Sequence, residues 1–245
     1  MHKKLKLLSE ISIAAGAAIM RHRDLGGISV VKKADNSPVT AADEEANALI
    51  VAALLANFPD IPVVSEEGNL PDSRQLGDEF WLVDPLDGTR AFIRGDNDFT
   101  VNIGLIVRGV PQLGVIFLPA TNELYTGAVG FGALCGENPI QTKQTISHPA
   151  KIILSQRHAE GELNYILKDY PDYVAVSASS SLKFCKVAEG SADIYPRLGP
   201  TMEWDTAAGH AILLAAGGSL TKIDGSVFDY AKPNFLNPGF IAKGN

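Results

Sequence analysis

Asp84-Pro85-Leu86-Asp87-Gly88-Thr89 sets two carboxylates three residues apart behind the apolar run Phe80-Trp81-Leu82-Val83, and follows them with a glycine and a hydroxyl. Oxygen ligands at that spacing suit a hard cation. Two short aspartates and one main-chain carbonyl, that of Leu86, can bridge a pair of Mg2+ ions that otherwise keep their waters. A single Asp is ordinarily a turn or helix-cap residue. Two of them in this order at the end of a buried strand are hard to explain by capping alone, and metal binding is the better reading. Gly88 and Thr89 then offer backbone N–H groups. If a helix begins there, these donors receive a phosphate whose other oxygens face the metals. A phosphatase with an aspartyl nucleophile in Asp-x-Asp-Gly-Thr needs acids two apart, and Pro85 stands where the first would be.

Such groups need rigid elements beneath them. Phe80 to Val83 reads as a strand that stops at Asp84-Pro85, since proline cannot donate to a ladder. Leu5, Leu8, Ser12, Ala15 and Ile19 recur at helical spacing and predict an amphipathic helix over 3–22. Asp35-Asn36-Ser37-Pro38 reads as a turn, after which Thr40 opens a helix with Ala46, Leu49, Ile50, Ala53 and Leu54 on one face. In Thr40-Ala41-Ala42-Asp43, Asp43 occupies the capping-box position. Val63-Val64-Ser65 is a short strand, and Thr100 to Val107 with Gln112 to Leu118 form a hairpin joined by Arg108-Gly109-Val110-Pro111. A further strand pair is expected around Tyr125 and Ala133. Beyond Pro149, strands at Ile152 to Ser155, Val174 to Ala178, Ala192 to Tyr195 and Ser219 to Ile223 alternate with helices, the longest running from Asp205 to Ala216 and stopped by Gly217-Gly218. The expected organisation is an α+β part over 1–145 and an α/β part over 146–245.

Composition narrows the function. A chain of 245 residues that is 46% apolar and 20% charged can bury a sizeable core. A formal charge of −7 excludes a general binder of nucleic-acid backbone, so any phosphate must be held locally. Bound divalent cations would invert the local field to do so. Cys135 and Cys185 are the only cysteines, too few for a disulfide framework or a zinc set. The basic start resembles a signal peptide until Glu10 interrupts it, and no run is apolar enough to cross a bilayer. An intracellular protein is expected.

Two separated stretches carry a resemblance. Trp81-Leu82-Val83-Asp84-Pro85-Leu86-Asp87-Gly88-Thr89 and Trp204-Asp205-Thr206-Ala207-Ala208-Gly209, with Val64-Ser65-Glu66-Glu67 upstream, resemble the lithium-sensitive, magnesium-dependent phosphatases that include inositol monophosphatases, fructose bisphosphatases and bisphosphate nucleotidases. The resemblance implies a layered αβαβα sandwich, an α+β arrangement in the broad α/β class. It implies that Glu66, Asp84, Asp87 and Asp205 supply metal-ligand carboxylates and Leu86 its carbonyl to two or three Mg2+ ions, with Glu67 behind them. Read locally, Asp205 is an acid at a helix N-terminus, worth about 0.3–1 kcal/mol. Asp43 would pair with Thr89 to position and deprotonate the attacking water, with Glu66 assisting. The implied mechanism is in-line displacement by water between two ions about 3.5–4 Å apart.

Further stretches resemble the bacterial 3′(2′),5′-bisphosphate nucleotidase branch: Lys33 through Asp43, Ser180-Ser181-Leu182-Lys183-Phe184-Cys185, Tyr195-Pro196-Arg197 and Phe235 through Phe240. That branch removes the 3′-phosphate of adenosine 3′,5′-bisphosphate to leave AMP, with 3′-phosphoadenylyl sulfate as a second substrate. A doubly phosphorylated nucleotide needs a second anion site, which Lys183 and Arg197 could supply with a hydrogen bond from Ser181. Substrate contacts would then come from Glu66, Leu86, Asp87, Gly88, Thr89, Ser181, Lys183, Arg197 and Asp205, with His158 as a weaker candidate. Taken singly, Lys183 and Arg197 are ordinary surface cations and Ser181 an N-cap. Ser179 stands where that branch has Gly, and Ser155-Gln156-Arg157-His158 replaces Ser-Arg-Ser-His. The rival substrates are inositol or sugar phosphates, which do not need the Lys183 and Arg197 site. A non-catalytic metal- or nucleotide-binding regulator is the remote alternative, disfavoured because Asp43, Glu66 and Thr89 are all present. A cytoplasmic protein is expected, monomer or homodimer being left open by the sequence; in the branch it resembles, peripheral attachment to the inner membrane also occurs.

Overall fold

The computed structural model describes residues 2–26, 30–32, 38–155 and 167–244. Helix α1 (His2–Leu25) runs three residues past its predicted end and buries Leu8, Ile11, Ala15 and Ile19. Strands β1 (Val30–Lys32) and β2 (Pro38–Thr40) pair antiparallel; residues 33–37, which hold most of the predicted turn, lie outside the described residues. Thr40 caps α2 (Ala41–Asn57), and its capping box is complete. The buried stripe of α2 is narrower than its sequence implied: Ala42, Ala46, Ile50 and Leu54 are fully buried, whereas Leu49 is 41% exposed. A strict four-residue repeat covers one seam of a helix, and Leu49 falls beside it.

Seven strands form the first sheet, in order β3 (Val63–Ser65), β4 (Glu79–Asp87), β5 (Thr100–Val107), β6 (Val110–Leu118), β7 (Glu123–Ala128), β8 (Gly132–Cys135) and β9 (Asn138–Ile140). Within this sheet, among the described residues, only β3 and β4 pair in parallel. Strand β4 does not stop at Pro85. Its pairing jumps from Asp84↔Asn102 to Asp87↔Thr100, an irregularity that absorbs a residue without an N–H and lets the strand continue. The β5–β6 turn is likewise tighter than predicted. Arg108 (φ 51°) and Gly109 (φ 74°) turn the chain alone, and Pro111 sits at a second register shift inside β6.

Helices α1 and α2 pack on one face of this sheet around Trp81, Val83, Ile103 and Val115. On the other face lie α4 (Leu182–Ala188) and α5 (Glu203–Ala215); α3 (Thr89–Arg94) follows β4 directly. Beyond α4 and α5 comes a five-stranded sheet of order β11 (Tyr173–Ser177), β10 (Ala150–Leu154), β12 (Ile194–Arg197), β16 (Phe240–Lys243), β14 (Ser219–Lys222). Short strands β13 (Thr201–Met202) and β15 (Leu236–Asn237) pair beside it. Strand β16, unassigned by the sequence reading, pairs antiparallel with both β12 and β14. Helices, sheet, helices, sheet are the first four layers of the expected sandwich. Ala150, Ile152, Leu154, Leu167 and Ile194 form an apolar cluster in this second half, and residues 156–166 lie outside the described set. Among the described residues no helix is long and apolar enough to cross a membrane.

Helix α5 lies directly on backbone. Gly104, Gly114 and Gly127 are register partners across β5, β6 and β7. A Cβ on Gly114 would stand 2.1 Å from the Ala208 carbonyl oxygen, and one on Gly127 2.6 Å from Ile212 Cα. Both neighbours are main chain and cannot swing aside. Gly114→Ala is therefore expected to cost about 1–3 kcal/mol by overpacking, measured by urea denaturation. Because α5 carries Asp205 in its first turn, activity should fall with it.

The same helix holds His210, 3% exposed, with Nδ1 3.1 Å from the Tyr230 hydroxyl. Burial, with a smaller push from Lys232, brings its pKa from 6.5 down to about 3. The unfolded chain thus takes up a proton below pH 6.5 that the folded protein refuses until near pH 3, so stability is lost as pH falls through that window. His210→Gln should remove this slope. Between pH 6.5 and 5 the wild type is expected to lose about 2 kcal/mol more than the variant in denaturant titrations.

Candidate metal and phosphate site

The irregular end of β4 builds the centre. Asp84, 2% exposed, accepts a 3.0 Å hydrogen bond at Oδ1 from the Leu86 N–H, which fixes its carboxylate inside the bend. Gly88 has φ 95°, and a Cβ there would lie 3.0 Å from the Asp98 carbonyl, so the left-handed turn into α3 needs glycine. Glu66 leaves β3 with its N–H bonded to the Val83 carbonyl at 3.1 Å, which ties it beside β4. Asp205 enters from the first turn of α5, where Oδ2 accepts from the Met202 N–H at 2.7 Å. Oxygens of Glu66, Asp84 and Asp205 lie within 4.8 Å of one another.

Asp87 and Glu67 stand outside that trio among the described residues. Asp87 Oδ2 instead accepts from the Ser181 hydroxyl at 2.9 Å and the Asn102 amide at 3.4 Å. Asp43 Oδ2 accepts from the Thr40 N–H (2.8 Å) and hydroxyl (2.6 Å), and its Oδ1 accepts from the Thr89 hydroxyl at 3.0 Å. Thr89 Oγ1 is also 3.2 Å from the Leu86 carbonyl oxygen. Capping box and Thr89 pairing therefore coexist, one on each oxygen of the same carboxylate.

Electrostatics test whether a cation fits. Burial, then the charges of Glu66, Asp87 and Asp205, hold the Asp84 carboxyl well above its ordinary range. Asp205 is raised by burial and Asp87 against the Met202 bond, which lowers it. Asp43 is raised by burial, partly offset by its Thr40 and Thr89 bonds. A pocket of acids that resist ionisation together, with oxygen donors only, fits a hard divalent cation that would relieve the repulsion.

A cavity of about 300 Å3 opens beside these acids, lined by Asp87 and Asp205 and also by Arg90, Lys183, Tyr195 and Arg197. Lys183 is not a surface cation: it is 4% exposed, its Nζ donates to the Ser180 carbonyl, and it lies 5.2 Å from the Tyr195 ring centroid. Burial lowers its pKa to about 8, against the pull of Asp87. Arg197 donates to Ser155 Oγ at 3.0 Å and to the Gly199 carbonyl at 3.2 Å. Ser181 makes no side-chain cap on α4, contrary to its local reading. Ser179 is compatible with its position because the positive φ of this turn falls on Ser180, at 51°. His158 lies outside the described residues. Sequence reasoning missed Asn102, Arg90 and Arg94. An amide inside the apolar run Val101-Asn102-Ile103, and arginines at positions 90 and 94 just after the Gly88-Thr89 turn, were the available signals.

The inositol monophosphatase family matches residues 2–243, and the chain belongs to that family. Within it, the chain is 46% identical over 242 residues to the 3′(2′),5′-bisphosphate nucleotidase CysQ of Escherichia coli O6:H1, covering 96% of this chain and 98% of that one. It is 38% identical to the CysQ of Buchnera aphidicola over 98% of this chain and 93% of the relative. Among solved structures, CysQ of Bacteroides thetaiotaomicron superposes with a TM-score of 0.86 at 36% identity, covering 99% of this chain and 97% of that one. The inositol monophosphatase of Anabaena gives 0.81 at 28% identity, covering 100% and 91%.

Proposed function

We propose that this protein is a Mg2+-dependent phosphatase that hydrolyses the 3′-phosphate of adenosine 3′,5′-bisphosphate to give AMP, and that it acts likewise on 3′-phosphoadenylyl sulfate. The observation that carries this reading is one cavity lined both by Asp87 and Asp205, the latter a member of the acid trio, and by the buried Lys183 with Arg197. The names of its relatives support the same substrate class. A monophosphate needs one anion site; a 3′,5′-bisphosphate needs two.

Glu66, Asp84, Asp87 and Asp205, with the Leu86 carbonyl, would hold two or three Mg2+ ions. When bound, the ions supply Lewis-acid stabilisation of the attacking and leaving oxygens. Asp43 and Thr89 orient the attacking water and take its proton, Asp43 as the acceptor behind the Thr89 hydroxyl. Gly88 and Thr89 offer N–H groups to the scissile phosphate. As water bonds to phosphorus the P–O3′ bond breaks, and the ribose oxygen leaves and takes a proton from solvent water to become a hydroxyl. Lys183 and Arg197 hold the phosphate that stays behind. Under this reading the 1–145 part bears the chemistry and the 146–245 part the selectivity, with Asp205 reaching across.

The test is phosphate release with Mg2+ from adenosine 3′,5′-bisphosphate, inositol 1-phosphate and fructose 1,6-bisphosphate, with and without lithium. The nucleotide should be preferred strongly, with lithium inhibiting. Lys183→Met should raise KM for the nucleotide about 10- to 100-fold, the loss of one charged hydrogen bond, and leave inositol 1-phosphate turnover unchanged. Preference for inositol 1-phosphate, or equal effects of the variant on both, would overturn the bisphosphate assignment.

A further inference from the structure

Four elements meet on one hydroxyl. Ser181 is 2% exposed, and its Oγ is 2.9 Å from Asp87 Oδ2, 2.8 Å from the Asp205 carbonyl oxygen and 2.9 Å from Asn102 Nδ2. Asn102 is fully buried on β5, and its amide also reaches Asp87 Oδ2 at 3.4 Å. An amide nitrogen can only donate, so the Asn102 bond occupies one lone pair of Ser181 and sends the serine proton elsewhere. A carbonyl at position 205 of a helix has a partner in the N–H four residues on. The carboxylate of Asp87 is the acceptor with the greater need, and a charged acceptor makes the stronger bond. Ser181 thus donates to Asp87, and this oxygen is served from behind by both groups.

We propose that Asn102 and Ser181 form a positioning pair which holds Asp87 in register with Asp205 for cation binding, and that Ser181 is not a substrate donor. The inference rests on the metal-dependent reading above. Its chemistry is that of the partners that orient metal-ligating carboxylates, whose removal typically costs 10- to 100-fold in metal affinity. Ser181 has no proton left for a phosphate oxygen, and it brings β4, β5, α4 and α5 to one point. Asp87 sits on β4 and Asp205 on α5, so one buried hydroxyl sets the spacing between ligands from the two halves of the chain.

The decisive measurement is Mg2+ binding to the nucleotide-free protein by calorimetry and by thermal shift, compared with KM for adenosine 3′,5′-bisphosphate at saturating Mg2+. Ser181→Ala should weaken Mg2+ binding 10- to 100-fold and leave that KM within about twofold. Asn102→Ser should do the same, and it decides the matter if Ser181→Ala does not fold. The double variant should lose little more than either single one, because the two side chains act as a unit. Unchanged Mg2+ binding with a raised KM would make Ser181 a substrate donor and overturn the proposal. A wild-type protein that takes up no Mg2+ would sink the metal reading itself, an outcome distinct from a variant that binds as well as wild type.

Discussion

Asp84→Asn is expected to abolish most turnover while making the metal-free protein more stable. The amide can still accept from the Leu86 N–H at 3.0 Å, so the bend of β4 survives. What disappears is a negative charge from a trio of oxygens within 4.8 Å. If ions bound there contribute several kcal/mol to the transition state, kcat/KM should drop by roughly 10^3-fold or more. Stability moves the other way. Burial and neighbouring acids place the folded pKa of Asp84 well above 3.8. The stability this group contributes in the metal-free protein is therefore full below pH 3.8 and lost as pH rises through the folded value, which leaves a destabilising charge above it. An amide never carries that charge. Thermal melts in chelator should show the variant above wild type at pH 7 and Mg2+ should reverse the order, with turnover measured on the same samples. A variant with normal Mg2+-induced stabilisation would remove Asp84 from the ligand set.

Asp43→Asn is expected to lower kcat about 10^2- to 10^4-fold, the usual worth of a positioned acid–base group, with little change in Mg2+ binding or KM. The carboxylate serves Thr40 with one oxygen and Thr89 with the other. An amide can keep only one acceptor. Turned so that its oxygen caps α2, it presents NH2 to Thr89, reverses that hydrogen bond and drives the threonine proton toward the Leu86 carbonyl, 3.2 Å away. The loss of helix stability should be about 1 kcal/mol, the cost of a weakened cap. Thr89→Ser keeps the hydroxyl and should retain most activity, whereas Thr89→Ala should match Asp43→Asn. Steady-state kinetics on the three variants, with melting curves alongside, separate the capping role from the chemical one. Equal stability losses without a kcat effect would leave Asp43 a cap and nothing more.

The parts of this site legible in the sequence were those packed into a few consecutive residues. Asp84, Asp87 and Thr89 announce themselves because one strand end holds them all, and the capping box at Thr40 and Asp43 is likewise local. Glu66 and Asp205 lie 18 residues before and 121 residues after Asp84, counted along the chain. No periodicity connects residues so far apart, and only the family resemblance singled them out. What could not be read is what depends on neighbours from other elements. Pro85 looked like a strand stop because the register shift that tolerates it belongs as much to β5 as to β4. Lys183 looked exposed by residue type, yet its burial follows from the packing of α4 against Tyr195. Asn102 drew no notice, although a fully buried amide within an apolar strand implies a partner.

The glycine row beneath α5 has a meaning for how such a protein diversifies. With Ala208 resting on the bare backbone of Gly114, there is no intervening side chain whose size could be traded to shift the helix, and Asp205 inherits that immobility. Arg197 sits on a four-residue strand and reaches out to a serine and to loop carbonyls, contacts that exchange easily. Heritable variation can therefore accumulate around Arg197 while the carboxylate carried by α5 stays constant. Relatives that share the hydrolytic centre can diverge in the ester they accept, and a laboratory search for new substrates should randomise positions 90, 94, 155 and 197 before touching the floor under the helix.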